Sequence, residues 1–188
     1  MSLLNNNTAL LLVDIQKGLD DWEYYGGKRN NTNAEENAAK ILTEWRKLKL
    51  PLFHVRHSSQ NNASPLHRSK EGFAIKEEVK PLPSEVVITK KVNSAFIGTG
   101  LEQLLRSKNI STLVIVGLTT NHCISTTVRM ASNLDFKTFL ISDATATFDS
   151  NGLNGEKFDA ELMHQTALAS LNDEFATIMD TNTLISIL

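Results

Sequence analysis

Residues 112–123 read TLVIVGLTTNHC, an apolar run that breaks at a glycine and continues into a predicted helix. An apolar run of this length without polar alternation is typical of a strand that is covered on both faces. The chain's single cysteine, Cys123, falls where the predicted helix begins. There the helix dipole favours a thiolate, and unpaired backbone amides can receive a developing oxyanion. A lone cysteine is more often a small buried hydrophobe than a nucleophile, so the residues around it decide between the two interpretations.

Strand-like runs alternate along the chain with segments of helical spacing. Predicted strands cover residues 8–14, 51–56, 86–90, 112–117, 137–142 and 175–179, and predicted helices cover residues 33–48, 100–108, 122–134 and 156–171. Such alternation predicts an α/β fold of three layers (α/β/α), in which helices flank a doubly wound, mainly parallel six-stranded sheet. We expect one domain over residues 1–188, with its ligand site beyond the carboxyl ends of the strands. Segment 58–83 is longer than an ordinary connection and is expected to be a binding loop or disordered.

Composition narrows the classes of partner. The chain has 188 residues, 41% of them hydrophobic, with 19 basic and 21 acidic side chains and a net charge of -2. No long block of either sign provides a surface for nucleic acid or a membrane, so the expected partner is a small molecule. A single cysteine excludes an internal disulfide framework and suits a reducing compartment. Residues 1–7 lack the basic and apolar regions of a signal peptide, which predicts a cytoplasmic protein.

Two charged residues stand at the ends of predicted strands. Asp14 follows LLLV at residues 10–13, and Lys90 ends VVITK at residues 86–90. Taken singly, either residue could be a solvated strand end. Parallel strands deliver their carboxyl ends to one edge of a sheet, so Asp14, Lys90 and Cys123 are expected to meet there as base, charge stabiliser and nucleophile. Lys91 follows Lys90 directly, and successive residues on extended backbone point to opposite sides, so only one of the two lysines can face Cys123.

Four short motifs occur in the order found in a known superfamily. They are DIQ at residues 14–16, KKVNSAF at 90–96 leading into GTGL at 98–101, GLTTNHC at 117–123 and DATA at 143–146. In these motifs the chain resembles the isochorismatase-like cysteine hydrolases, which include nicotinamidases and N-carbamoylsarcosine amidohydrolases. The resemblance implies the same doubly wound fold and assigns the catalytic Asp-Lys-Cys triad to Asp14, Lys90 and Cys123. The family spacing, a lysine four positions before Ser94, selects Lys90 over Lys91.

The resemblance also implies an amidohydrolase mechanism that needs no cofactor. Asp14 accepts the thiol proton, the Cys123 thiolate attacks a carbonyl carbon, and a thioester forms while the C–N bond of an amide or ureido group breaks. The backbone N–H groups of Thr119 and Cys123 are expected to hold the oxyanion, with a cis peptide bond between Leu118 and Thr119. Members of the family form dimers or tetramers, so a homo-oligomer is expected.

Two other functions stay open, and one further feature of the family is not matched. Isochorismate hydrolysis, which cleaves a vinyl ether, needs no covalent nucleophile and is disfavoured by Cys123. A protein of the same fold that only binds a small molecule is disfavoured by the intact triad. Nicotinamidases hold a metal through an Asp and histidines in a segment that this chain lacks. His54 and His57 are three apart on a predicted strand and point to different faces, so no metal site is expected.

Contacts to the substrate are less determined by the sequence. Leu19 stands where many members of the family have Phe, so the pocket wall beside Asp14 is expected to differ. Arg56 and His57 end the second predicted strand, where the guanidinium could bind a substrate carboxylate or remain a solvated strand end. The other candidate pocket residues are Gln16, Trp22, Tyr24, Phe96, Thr120 and His122. None of these residues identifies a particular ligand.

Overall fold

A computed structural model describes residues 6–188 of the chain. Residues 1–5, which belong to the N-terminal stretch without signal-peptide features, lie outside the described residues. The strands, numbered along the chain, are β1 (Thr8–Val13), β2 (Leu52–His57), β3 (Val86–Lys90), β4 (Thr112–Leu118), β5 (Lys137–Ala146), β6 (Ser150–Asn151), β7 (Lys157–Phe158) and β8 (Thr177–Met179). The helices are α1 (Trp22–Tyr25), α2 (Ala34–Lys47), α3 (Leu101–Ser107), α4 (Ser125–Asn133), α5 (Ala160–Ala169) and α6 (Thr181–Ser186). None of the helices described is long and apolar enough to cross a membrane.

Six of these strands form one sheet in the order β3-β2-β1-β4-β5-β8, and every neighbouring pair is parallel. This arrangement confirms the predicted doubly wound α/β fold. The strand order reverses between β1 and β4, because the chain moves outward from β1 to β3 on one side and from β4 to β8 on the other. In such sheets ligands bind in the crevice at this switch point, beyond the carboxyl ends of the strands. Asp14 follows β1 and Cys123 follows β4, so both lie beside it.

Residues of β1 alternate between two apolar cores, one on each face of the sheet. Leu11 belongs to the core that contains residues of α3, α4 and α5. Leu10 and Leu12 belong to the core that contains residues of α2 and α6. Successive side chains of a strand point to opposite faces, so a strand with a core on each face has a continuous apolar run in its sequence.

β4 approaches β1 closely where it ends at the switch point. Gly117 pairs with Val13 and has a φ of 129°, a conformation that side chains other than hydrogen rarely permit. A Cβ atom at this position would lie 1.9 Å from the carbonyl oxygen of Val13. The glycine that breaks the apolar run therefore lets β4 end against β1 and carry the following turn beside Asp14.

The structure differs from the predicted elements in several places. β3 is an edge strand in which Val86 and Val87 are 37% and 39% exposed, so its continuous apolar run does not mark a strand covered on both faces. β5 ends at Ala146 and not at residue 142, where the predicted strand ended, because it pairs with β4 again after a bulge. α5 begins at Ala160 rather than at residue 156, since β7 pairs with β6 and Asp159 then caps the helix. The sequence did not predict α1 or α6.

The long segment between β2 and β3 folds back over the sheet and is anchored by buried charges. Lys76 contacts one carboxylate oxygen of Glu35 on α2 at 2.6 Å, and Arg29 contacts the other oxygen at 2.5 Å. A bridge between Gln16 and Ile75 ties the same segment to the residues after β1. Lys76, Glu35 and Arg29 are all buried, and Lys76 also contacts the exposed carboxylate of Asp20 at 2.5 Å, so two carboxylates balance the two cations.

Glu35→Ala is expected to lower the free energy of unfolding by about 3–5 kcal/mol, because it removes the carboxylate of the buried Arg29 and one of the two carboxylates that Lys76 contacts. Burial raises the pKa of Glu35, but hydrogen bonds from Arg29 and Lys76 outweigh burial and hold the pKa below its usual value of 4.5. The stabilisation is therefore present above pH 4.5 and is lost as the pH falls through the lower folded pKa. Urea unfolding measures the change, with Glu36→Ala at the exposed neighbouring position as the control. Equal effects of the two substitutions would contradict this assignment.

Candidate active site

Three strand ends and one turn deliver four side chains to the switch point. Asp14 follows β1, His57 ends β2, Lys90 ends β3, and Cys123 lies in a π-helical turn, Thr120–Ile124, after β4. The Lys90 Nζ lies 2.6 Å from Asp14 Oδ2, 3.1 Å from His57 Nδ1 and 3.2 Å from Cys123 Sγ. The structure thus gathers Asp14, His57 and Cys123 around the ammonium of Lys90.

Lys90 is buried and charged. None of its side chain is exposed, and its ammonium also donates to the carbonyl oxygen of Val92 at 3.2 Å. Burial lowers the pKa of Lys90, but the neighbouring Asp14 and Cys123 outweigh burial and raise the pKa above its usual value. His57 Nδ1 faces this ammonium and must be unprotonated to accept its hydrogen bond. The adjacent Lys91 is exposed.

Asp14 is placed to exchange a proton with the thiol. It is 2% exposed and has a φ of 54°, in the left-handed region that aspartate tolerates better than most residues. Apart from its ion pair with Lys90, its carboxylate forms no hydrogen bond within residues 6–188. A carboxylate oxygen of Asp14 lies within 4.8 Å of Cys123 Sγ. The carboxylate therefore has both the proximity and the free acceptor capacity of a base.

Cys123 carries a thiol, not a thiolate, at neutral pH. Burial and the charge of Asp14 raise its pKa to about 12, and the opposing effect of Lys90 is smaller. The helix N-terminus alone predicts a thiolate, whereas burial and the adjacent carboxylate favour the thiol. The proton must therefore leave the sulfur before the sulfur can attack a carbonyl carbon.

The turn that carries Cys123 is held at both ends. A cis peptide bond joins Leu118 and Thr119. The backbone N–H of Ile124 donates to the Thr119 carbonyl at 3.2 Å, so the predicted helix 122–134 starts as a wide π-helical turn and continues as α4. Thr120 Oγ1 lies 2.8 Å from Nδ1 of the buried His164 on α5. Thr120 thus fastens the turn to α5 and does not face the pocket.

A cavity of about 380 Å³ lies beside Cys123. Seven of the predicted site residues line it: Asp14, Tyr24, His57, Leu118, Thr119, His122 and Cys123. Burial lowers the pKa of both histidines, and Lys90 lowers that of His57 further, so both are neutral at pH 7. A larger concavity of about 580 Å³ lies at the opposite ends of β2 and β3, away from these side chains.

Besides Thr120, four predicted pocket residues lie outside this cavity, and three of them support or surround the site. Gln16 is fully buried and holds the end of β2, donating to the His57 carbonyl and accepting from the His57 N–H. Phe96 stacks against Phe136 in the core. Trp22 is 39% exposed at the start of α1. These three residues support or surround the site without lining it.

Arg56 also points away from the cavity. Its guanidinium lies 4.2 Å from the centre of the Phe73 ring, and its Nε donates to Thr89 Oγ1 at 3.1 Å. These contacts therefore do not support the interpretation that Arg56 binds a substrate carboxylate. The side chain instead packs on the segment between β2 and β3.

Five cavity residues carried no separate signal in the sequence: Tyr25, Ser59, Ser64, Leu66 and Asn93. Three of them come from segment 58–83, in which no periodic pattern marks a face. Asn93 lies inside the motif at residues 90–96, but the motif alone does not show that its side chain reaches the cavity. Leu19, which departs from the family pattern, also lines the wall.

Asp14, His57 and Cys123 form the group of side chains best placed to bind a metal ion. Their ligand atoms all lie within 4.8 Å of one another. The Lys90 ammonium, however, contacts all three at 2.6–3.2 Å and supplies the positive charge at their centre. A cation could bind only by displacing Lys90, so these residues do not fit a resident metal. His54 lies apart from them, 2.9 Å from Glu85.

Known proteins resemble this chain along nearly its whole length. Residues 8–183 match the family model of the isochorismatase domain. The uncharacterized isochorismatase family protein YrdC from Bacillus subtilis is 51% identical over 183 residues, which are 97% of this chain and 97% of that protein. The ureidoacrylate amidohydrolase RutB from Cronobacter sakazakii is 36% identical over 138 residues, which are 73% of this chain and 54% of that protein.

Solved structures show the same relationship. A crystal structure of an isochorismatase-family protein from Chromobacterium violaceum matches with a TM-score of 0.93 and 39% identity, covering 100% of this chain and 96% of that one. The sequence and fold comparisons point to the same family as the motifs at residues 14–16, 90–101, 117–123 and 143–146. The chain belongs to the isochorismatase family of hydrolases.

Proposed function

We propose that the protein is a cysteine hydrolase that cleaves a C–N bond of a small amide or ureido compound through a thioester on Cys123. One observation carries the proposal: the Lys90 ammonium contacts Asp14 Oδ2 at 2.6 Å and Cys123 Sγ at 3.2 Å. A base, a charge stabiliser and a nucleophile in mutual contact are the groups that covalent acyl transfer needs. Similarity to RutB, an amidohydrolase by name, supports the same class of reaction.

In the first half of the reaction, the thiol proton moves to the free oxygen of Asp14. The sulfur then bonds to the carbonyl carbon, and the carbonyl oxygen takes the negative charge. We assign the backbone N–H groups of Thr119 and Cys123, both at the cavity wall, to receive that charge. The C–N bond breaks as Asp14 gives its proton to the leaving nitrogen, which leaves as ammonia or an amine.

In the second half, water replaces the amine. Asp14, ionised again, accepts one proton of the water while the oxygen attacks the thioester carbon. The C–S bond breaks, a carboxylic acid or carbamic acid leaves, and the proton returns to Cys123. Lys90 stays charged throughout, because its pKa is raised and its ammonium contacts Asp14 in the resting site.

Ammonia release from a panel of small amides tests the proposal. The panel includes nicotinamide, carbamoyl amino acids and simple ureas, each with wild-type protein and with Cys123→Ala and Cys123→Ser. We expect turnover of at least one compound, and both variants should lose it by on the order of a thousandfold or more. Full turnover by Cys123→Ser would show that no thioester forms.

The same variants separate the two other functions. Isochorismate hydrolysis needs no thiolate, so cleavage of isochorismate at an unchanged rate by Cys123→Ala would favour that reaction. A protein that only binds would show saturable binding of a panel compound without ammonia release by the wild type.

Activity is expected to survive removal of divalent metal ions. Lys90 supplies the positive charge between Asp14, His57 and Cys123, and thioester chemistry needs no metal. Turnover after treatment with EDTA and gel filtration measures this. Loss of activity that zinc or manganese restores would contradict it.

We also propose that the chain forms a dimer or a tetramer. Val86 and Val87 on the edge strand β3 are 37% and 39% exposed although they point to opposite sides of the strand, so a second copy that covers this edge would remove apolar surface from water. Light scattering at micromolar concentration should give at least twice the chain mass of 20.8 kDa. The mass of a single chain would contradict this proposal.

A further inference from the structure

The cavity beside Cys123 lacks a cation for a substrate carboxylate. Within residues 6–188, no lysine or arginine lines its wall. Lys90 lies behind the wall, where Asp14, His57, Cys123 and the Val92 carbonyl surround its ammonium. Substrate could reach this ammonium only by displacing groups that already satisfy it.

Arg56, the cation that β2 brings to this edge, is also engaged elsewhere. Arg56 directly precedes His57 in sequence, but its guanidinium packs on the Phe73 ring and its Nε donates to Thr89 Oγ1. Both cations that the strand ends bring to the site are thus committed to protein groups.

The remaining ionisable groups of the wall add no positive charge. Asp14 and Lys90 balance each other at 2.6 Å, and burial keeps His57 and His122 neutral at pH 7 by lowering the pKa of each. Cys123 stays protonated, since its pKa is raised to about 12. A carboxylate that enters this cavity would lose its hydration and gain no ion pair.

Uncharged polar groups line the cavity in place of cations. Ser59 and Ser64 offer hydroxyls, Asn93 offers an amide, and Leu19 and Leu66 add apolar surface. Such a wall can hydrogen-bond a neutral polar molecule and pack against its carbon atoms.

We propose that the substrate is an uncharged amide or urea whose acyl part carries no carboxylate. The inference rests on the proposed function and narrows its substrate class. It excludes acids such as ureidoacrylate, which gives RutB its name, and it excludes isochorismate, which carries two carboxylates.

Alkylation of Cys123 by a matched pair of reagents tests the inference directly. Iodoacetamide is neutral and iodoacetate carries a carboxylate, and Cys123 is the chain's single thiol, so a gain in intact mass reports the reaction at this site. Each rate is divided by the rate of the same reagent with N-acetylcysteine amide at the same pH. We expect the normalised rate of iodoacetamide to exceed that of iodoacetate by at least about tenfold at low salt. A ratio near one, or a preference for iodoacetate, would overturn the inference.

A variant pair adds the missing charge. Tyr24 lines the cavity and is 47% exposed, so the position should tolerate substitution. Tyr24→Arg is expected to raise the normalised rate of iodoacetate by about fivefold or more, and 0.5 M salt should reduce the gain. Tyr24→Gln, of similar length but neutral, is the control. Equal rates for the two variants would also overturn the inference, because charge would then not limit entry.

Alkylation requires no turnover, so this test is independent of the ammonia screen. A preference for iodoacetamide together with no ammonia release from any neutral amide would contradict the proposed hydrolysis and support the charge preference. A preference for iodoacetate together with ammonia release from carboxylate-bearing amides would support hydrolysis and overturn the charge preference.

Discussion

Asp14→Asn is expected to abolish measurable turnover and, at the same time, to make Cys123 more reactive towards iodoacetamide. Asparagine cannot accept the thiol proton, and loss of a general base costs about a hundredfold to ten-thousandfold in rate. The charge of Asp14 is also among the causes that raise the thiol pKa to about 12, whereas the remaining Lys90 lowers it. Removal of the carboxylate charge therefore lowers the thiol pKa and speeds alkylation at neutral pH.

Asp135→Asn is the matched control for this experiment. Asp135 is exposed, and its φ of 61° is close to the 54° of Asp14, so the substitution makes the same charge change in the same backbone conformation. Turnover and alkylation of the control should equal those of the wild type. Turnover that persists in Asp14→Asn would show that Asp14 is not the base, and slower alkylation would show that its charge does not control the thiol pKa.

Lys90→Ala is expected to lose turnover while shifting the thiol in the opposite direction. The ammonium lowers the pKa of Cys123, so its removal raises the pH at which Cys123 reacts with iodoacetamide. It also leaves the buried Asp14 without its partner at 2.6 Å. Loss of this charge from a partly dry site should cost on the order of a hundredfold or more in rate.

Lys91→Ala provides the control at the neighbouring position. Lys91 is exposed, whereas Lys90 is 1% exposed, so loss of Lys91 should leave turnover and alkylation close to wild type. The reverse pattern, with Lys91→Ala inactive and Lys90→Ala active, would show that the lysine assignment is wrong by one residue.

Features that depend on strand order were predictable from the sequence. Continuous apolar runs before Asp14 and Gly117 reflect strands with a core on each face, and parallel pairing brings the carboxyl ends of β1, β3 and β4 to one edge. The residues that follow or end those strands then meet, as Asp14, Lys90 and Cys123 do. The resemblance at residues 14–16, 90–101, 117–123 and 143–146 pointed to the same three side chains.

Features that depend on tertiary contacts were not predictable in this way. Ser59, Ser64 and Leu66 reach the cavity only because segment 58–83 folds back over the sheet, anchored by Lys76 on Glu35. Arg56 leaves the site because Phe73, from the same segment, offers its ring to the guanidinium. No local pattern encodes either contact, since the partners are distant in sequence.

The pKa of the Cys123 thiol was also not predictable from the sequence. Its position at the start of a helix was visible in the sequence, and that position alone favours a thiolate. The pKa of about 12 results from burial and from the charge of Asp14, which opposes the effect of Lys90. The balance depends on distances between side chains from three strand ends, which only the folded chain fixes.

Rapid acid quenching followed by intact-mass measurement detects the proposed thioester on Cys123. Wild-type protein is mixed with an amide that releases ammonia in the screen and is quenched during turnover. We expect a mass gain equal to the substrate minus its leaving amine, located on Cys123 by peptide mapping. The gain should be absent from Cys123→Ala, which should release no ammonia. Turnover by Cys123→Ala at the wild-type rate, with no acyl adduct on the wild-type protein, would show that the reaction does not pass through a thioester on Cys123.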